Sequence, residues 1–272
     1  MLLYFLAIVL ICIAIEYCAD PVIPRAKGTR KRRWPTNIAL YVINTGLSAA
    51  LPLSFLAVAH YADENGIGLL NWLNPPYGID AMATVMIGSL SIYIFHRLHH
   101  SVPILWRFHR VHHSDNDLDW SSTLRHHPGE TFFMILLQSA TVFAFGLDAT
   151  ALFALLILHI GIDFFTHSRF MLPPRIERSL QWVMITPQLH HIHHSSWQPE
   201  TDSNYGIDFS IWDRLFGTLN RQPLRSMDSF AYGIDTVDPA VSNDLDWLLT
   251  SPLVPDSTDW AETPEHARTY RP

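Results

Sequence analysis

Apolar residues in this chain run in long blocks, where a half-buried strand would need strict alternation. Residues 2–19 are almost wholly apolar, with Glu16 the exception near the end. That length just spans a bilayer as a helix. A second block covers 37–60 and is broken by Pro52, and a third covers 79–95. Two more, 131–146 and 149–166, are separated by Gly146 and Asp148, which predicts a tight helical hairpin. Residues 61–78 carry Asp63, Glu64 and Pro75-Pro76 and read as an external loop or a shallow interfacial segment. After about 238 the periodicity fades into a polar, acidic, Pro-rich tail, expected to be partly disordered or loosely packed. The pattern predicts an all-α protein, an integral membrane helical bundle.

Charge orients the bundle. Arg25, Lys27, Arg30, Lys31, Arg32 and Arg33 follow the first block. A cleaved signal peptide would want basic residues before its apolar run, and none precede this one. The first block therefore reads as a retained helix with the basic cluster in the cytoplasm. Two crossings later the third block returns to that side and ends at His96. The hairpin also ends there, near His167. Every histidine set then falls on the cytoplasmic face. A nucleic-acid patch is the competing reading of the basic cluster. Its place beside a span and the net charge of −7 disfavour that reading.

Composition adds one unusual figure. There are sixteen histidines against two cysteines, and fourteen of the sixteen lie from His96 to His194. Cys12 and Cys18 both sit in the first apolar block, so neither a disulfide framework nor a cysteine-bound cluster is on offer. Hydrophobic residues make up 49% and charged residues 16%, which leans towards a membrane protein.

The histidines recur in sets: His96 and His100; His109, His112 and His113; His190, His193 and His194. On a helix, i, i+3 and i+4 share a face, so each set is expected to aim its rings at one point. Imidazole suits iron, zinc, copper and nickel. Eight rings exceed what one tetrahedral ion needs, so two metal ions are the economical reading. A single histidine is more often a core or solvated residue; eight at repeated spacing are not. A transport path would interrupt the spans with polar groups, whereas most of these histidines follow a span, and only His159 lies within one. A zinc protease would want H-E-x-x-H, and no set has that glutamate. The run His127–Glu130 partly resembles the haem loop of cytochrome b5 but lacks a surrounding soluble domain. A histidine-rich dimetal site at a membrane surface suits oxygen activation for attack on an unactivated C–H bond, with a lipid entering sideways from the bilayer.

Four segments carry a resemblance: Y-I-F-H-R-L-H-H-S-V-P-I-L-W-R-F-H-R-V-H-H-S at 93–114, S-S-T-L-R-H-H-P-G-E at 121–130, T-P-Q-L-H-H-I-H-H-S at 186–195 and N-Y-G-I-D-F-S-I-W-D-R-L-F-G-T at 204–218. Together they look like the fatty acid hydroxylase/sterol desaturase superfamily. The resemblance implies an integral-membrane enzyme with two non-haem iron ions, using O2 and external electrons. It implies His96, His100, His109, His112, His113, His190, His193 and His194 as ligands. His127 matches the histidine of the family's R-x-H-P-x-E element, and His167 matches one often seen after the hairpin; both are added as candidate ligands. His99 and His191 fall where the family varies and read as supporting or incidental. His126 and His159 are weaker candidates, and His60 and His266 read as unrelated.

Other residues have two readings. Arg97 and Arg110 either pair with acidic groups or face lipid headgroups. Asn204 either donates to a metal-bound water or shapes the turn before Gly206. Trp212, Asp213 and Arg214 read as packing and ion-pairing residues of the cap. Asp202 and Asp208 read as acceptors for imidazole N–H groups.

The expectation is a helical bundle under a cytoplasmic, histidine-lined dimetal cap. It divides into an N-terminal helix and basic loop (1–36), a catalytic unit (37–237) and a polar tail (238–272). The protein is expected to be a multi-pass membrane hydroxylase of the bacterial inner membrane or endoplasmic reticulum, acting on a sterol, fatty acyl or related lipid. Its electrons would come from a separate reductase with ferredoxin or cytochrome b5. Desaturation at the same centre is the alternative within the class. A zinc-binding transporter or sensor is the alternative outside it.

Overall fold

The structure is a computed structural model, and it describes residues 2–19, 29–51, 54–224, 231–239 and 241–254. Arg25, Lys27, Pro52 and His266 lie outside the described residues. The described chain is helical, with no strand among the described residues and only isolated bridges at Met184–Phe209 and Ser195–Tyr232. The long helices are α1 (Leu2–Ala19), α2 (Thr29–Ala50), α5 (Tyr77–Ser101), α7 (Pro128–Phe145) and α8 (Ala149–His167). The short helix α4 (Leu69–Leu73) lies where an external loop is expected, and α3 (Phe55–Glu64) begins within the second apolar block and ends in that segment. Among the described residues, four stretches are long and apolar enough to cross a membrane: Arg30–Leu73, Tyr77–Ser101, Pro128–Phe145 and Ala149–His167. Within α1 the apolar stretch is shorter, Leu6–Cys18.

The expected hairpin is present, and local chemistry explains it. Gly146 takes φ +63° and closes α7, a conformation that suits glycine. Asp148 then caps α8, accepting the Ala151 N–H at 2.7 Å. Gly68, at φ +100°, packs backbone to backbone on this tip: a Cβ there would lie 2.1 Å from the Gly146 nitrogen. Ala59, Leu70, Val142, Leu147 and Leu152 bury one apolar cluster at this end.

The opposite end is polar and buried. It holds α6 (Pro103–His113), a 3₁₀ turn (Trp120–Leu124), α9 (Pro174–Leu180), α10 (Pro187–His193), α11 (Gln198–Thr201) and α12 (Ile211–Leu215). Prolines open α6, α7, α9 and α10 at positions where no helical N–H is needed. Arg33, fully buried, binds Asp115 at 2.5 and 2.8 Å and Asp119 at 2.9 Å, fastening α2 to the chain just after the second histidine set. Removing one partner of such a buried pair costs about 3–5 kcal/mol. Arg125, also fully buried, donates to the Val111 carbonyl at 2.9 Å, to Ser114 Oγ at 2.8 Å and to the Ser242 carbonyl, so it holds the end of α6. Arg110 is buried and donates to the Ser251 and Val254 carbonyls, while Arg97 is exposed. In the tail, α13 (Leu245–Thr250) places Leu248 against Leu40 and Val111. That stretch is packed on the bundle, not loose.

Candidate metal centre

Four helices deliver the histidines. The end of α5 carries His96 and His100, α6 carries His109, His112 and His113, and α10 carries His190 and His193, with His194 at its C-cap. His167 comes from the last turn of α8. The donors converge in two buried groups: His96, His100, His109, His113 and His193; and His112, His167, His190 and His194. The groups are adjacent, since the His113 and His194 rings stack at 4.5 Å.

The grouping corrects the expectation that each sequence set serves one point. Successive helix residues are turned by about 100°, so i and i+4 differ by roughly 40° while neighbours i+3 and i+4 diverge by the full 100°. The pairs His109/His113 and His190/His194 therefore stay together. His112 and His193 turn away, each into the other group.

Hydrogen bonding fixes which nitrogen faces inward. A backbone carbonyl only accepts, so His96 Nδ1 donates to the Tyr205 carbonyl at 2.7 Å and His193 Nδ1 to the Ser203 carbonyl at 2.8 Å. Both Nε2 atoms then carry lone pairs, and they face each other at 3.1 Å. His109 Nε2 lies 3.1 Å from both His96 and His113 Nε2. In the second group, His167 Nδ1 lies 2.8 Å from the Asp163 carbonyl, and its Nε2 sits 3.2 Å from His112 and 3.0 Å from His190. Facing lone pairs repel unless a cation lies between them. A proton is a poor candidate: burial pushes His193 down to about 3 and holds His112, His113, His190 and His194 well below the ordinary imidazole range. With metal–nitrogen bonds of about 2.0–2.1 Å, ligands on one ion sit roughly 3 Å apart at right angles and about 3.4 Å apart at a tetrahedral angle. The spacings fit donors that share a metal ion.

Outer partners complete the site. Glu130, buried in the first turn of α7, lies 2.7 Å from His109 Nδ1 and 3.1 Å from His126 Nδ1. His126 in turn stacks on His112 at 4.5 Å. Glu130 outweighs burial and raises the His126 pKa. Asp202 lies 3.4 Å from His100 Nδ1.

Several candidates sit elsewhere. His127 is apart from both groups: its Nδ1 accepts the Gly129 N–H at 2.9 Å, capping α7, and its Nε2 faces the Leu249 carbonyl at 3.2 Å. His191 faces the Ser168 carbonyl and Tyr232. His99 donates to the Phe95 carbonyl. His60 pairs with Glu64 near the other end. Asn204 is a turn residue at φ +53°, holding the Leu189 and Asn220 carbonyls. Asp213 accepts the Tyr205 and Gly206 N–H groups at 2.7 and 2.8 Å, which sets the carbonyl that orients His96. Trp212 donates to Ser89, and Arg214 stacks on Trp182. Glu130 is the residue that spacing alone missed. Its one signal is its place in the Arg125–Glu130 element, where attention fell on His127.

This is a membrane-type helical bundle that gathers nine buried histidines into two adjacent groups able to hold metal. The chain belongs to the fatty acid hydroxylase family, whose model matches residues 81–218. An ornithine lipid hydroxylase of Rhizobium tropici is 30% identical over 239 residues, covering 82% of this chain and 69% of that protein. An alkylglycerol monooxygenase of Xenopus tropicalis is 30% identical over 150 residues, covering 54% and 32%. Cholesterol 25-hydroxylase of Mus musculus is 26% identical over 176 residues, covering 58% and 56%. The chain thus spans little more than two thirds of the first relative and less of the others. No solved structure matches. With its apolar helices, the chain is an integral membrane protein.

Proposed function

We propose that this protein is a membrane-bound, non-haem di-iron oxygenase that hydroxylates a lipid. The observation that carries the reading is the pair of histidine groups, in which buried Nε2 lone pairs face one another at 3.0–3.2 Å. The named relatives act on ornithine lipid, alkylglycerol and cholesterol, which supports a lipid substrate here. Iron bound in these groups supplies activation of O2 for attack on an unactivated C–H bond.

The chain's own residues do the rest. His96, His100, His109, His113 and His193 hold one ion, and His112, His167, His190 and His194 hold the other. Burial keeps His109, His112, His113, His190, His193 and His194 neutral. The Tyr205 and Ser203 carbonyls and the Glu130 carboxylate hold the rings in the tautomer that presents Nε2. Lipid reaches the centre sideways from the bilayer. Electrons arrive from a separate reductase with ferredoxin or cytochrome b5. The active site faces the cytoplasm, a reading supported by Arg33, whose contact with Asp115 puts the basic end of α2 at the histidine end of the bundle.

Anaerobic reconstitution of the metal-free protein with ferrous iron or zinc, followed by reductase, labelled oxygen gas and candidate lipids, tests this. Label in the lipid with iron alone, at two metals per chain, is expected. Lipid oxidised without label points to desaturation. Native function with zinc alone would overturn the oxygenase reading, since zinc has no redox chemistry.

A further inference from the structure

A polar pair that joins membrane-type helix α8 to the segment before α12 is not used by the metal centre. His159 stands in the middle of the apolar helix α8, where a polar residue is costly and marks function by default. Its Nδ1 lies 2.9 Å from Asp208 Oδ1. Asp208 is 2% exposed, and its other oxygen, Oδ2, has no hydrogen-bond partner. A buried carboxylate oxygen left bare is costly, so it points to a missing donor. The His159 side chain keeps 26% of its surface accessible. Asp208 holds the ring by Nδ1, so Nε2 is the end left for a ligand. His159, Asp163 and His167 recur at i, i+4 and i+8, one polar stripe leading down α8 to the second metal group. From His159 to His167 is eight residues, or about 12 Å along the helix. Exposed apolar residues stand next to the pair in the chain: Leu158 beside His159, and Val183 and Ile211 on the two segments bridged at Met184 and Phe209, next to Asp208.

We propose that His159 and Asp208 form a polar anchor for the substrate, binding a hydrogen-bond-donating group of the lipid, a hydroxyl or an amide N–H. A hydroxyl serves best, because it donates to Asp208 or to a neutral Nε2 and accepts from a protonated one. An ester or ether offers no donor for the bare oxygen. Held about two helical turns from the metal ligands, that group fixes which carbon reaches the centre. The inference rests on the lipid-oxidising reading and names its substrate class.

Binding of two amphiphiles of equal chain length, a long-chain alcohol and its methyl ether, to the metal-loaded full chain in detergent tests it without turnover. Wild type is expected to prefer the alcohol by about tenfold. His159→Phe and Asp208→Asn should bring the ratio to near one, with ether affinity and metal content unchanged. His159→Gln, which keeps a donor and an acceptor, should restore part of the preference. A pair that merely ties α8 to the cap would alter unfolding temperature and leave the ratio untouched, and that result overturns the proposal. Equal binding of both lipids by wild type overturns it too, leaving the lipid reading intact. Binding of neither lipid by wild type sinks the lipid reading itself.

Discussion

His109 Nδ1 lies 2.7 Å from Glu130 Oε1, and the same oxygen lies 3.1 Å from His126 Nδ1. His109 belongs to the five-histidine group, while His126 stacks on His112 of the four-histidine group. One carboxylate thus braces a ligand of each group, one by hydrogen bond and one through a stacked ring.

Glu130→Gln should weaken metal binding in the five-histidine group by about tenfold to a hundredfold, because the amide holds the Nδ1–H less strongly and no longer raises ring basicity. Iron titration of the metal-free protein, followed by metals per chain, reads this out. The four-histidine group should be affected less, since His126 reaches it only by stacking. Unchanged iron affinity in both groups would remove Glu130 from the account.

Two histidines outside the two groups, His191 and His127, should be separable from those inside. His191→Ala and His127→Ala should retain both metals, whereas His193→Ala and His167→Ala should each lose one. His127→Ala removes the cap of α7 and should cost about 1 kcal/mol of stability. His191→Ala as damaging to metal content as His193→Ala would contradict the assignment of the third set.

The pH dependence of the metal-free protein follows from burial. The folded values of His112, His113, His190, His193 and His194 lie below the ordinary 6.5, with His193 at about 3. As pH falls, the unfolded chain binds protons first. Stability is therefore fully present above about 6.5 and is lost as pH drops towards about 3. Thermal unfolding from pH 7.5 to pH 4 should show a steadily falling midpoint. A midpoint that rises on acidification would mean the rings are not held neutral.

Much of this was legible in the sequence. The blocks ending at His96 and His167 give α5 and α8, and Gly146-Leu147-Asp148 gives the hairpin. Spacing selected the histidines, because the need for neighbouring rings on one helix face survives into the fold. Spacing did not reveal how they divide, since His112 and His113 differ by one residue and 100° of helix. Nor did it reveal Glu130, whose role depends on α7 starting beside α6. The His159–Asp208 contact joins residues 49 apart, and no local pattern encodes it.

The membrane sidedness is testable through the same ends. Arg33 bonded to Asp115 ties the start of α2 to the histidine end, and Gly68 against Gly146 marks the other. With Cys12 and Cys18 replaced, single cysteines at Arg32, Ser101 and Gln222 should react with a membrane-impermeant reagent from the cytoplasmic side alone. One at Glu64 should react from the opposite side. Opposite labelling of positions 32 and 101 would break the topology.

The division of the histidines makes a sharper demand, one that single substitutions cannot meet. If groups follow the geometry, His113 and His193 serve one ion although they come from different sequence sets, while His113 and His112, neighbours in one set, serve two. His113→Ala combined with His193→Ala should then leave about one metal per chain, because both lesions fall on the same ion. His113→Ala with His112→Ala, or with His194→Ala, should leave almost none. The sequence-set alternative predicts a different pattern: the neighbouring pair His112/His113 would spare one ion, and the distant pair His113/His193 would empty both. Non-additivity within a shared network and additivity between separate ones is the expected signature of the true grouping. Iron per chain after anaerobic loading decides between the two, and circular dichroism on each double variant confirms that the helices persist. Retention of one metal in the His112/His113 variant, with none in the His113/His193 variant, would overturn the two-group assignment.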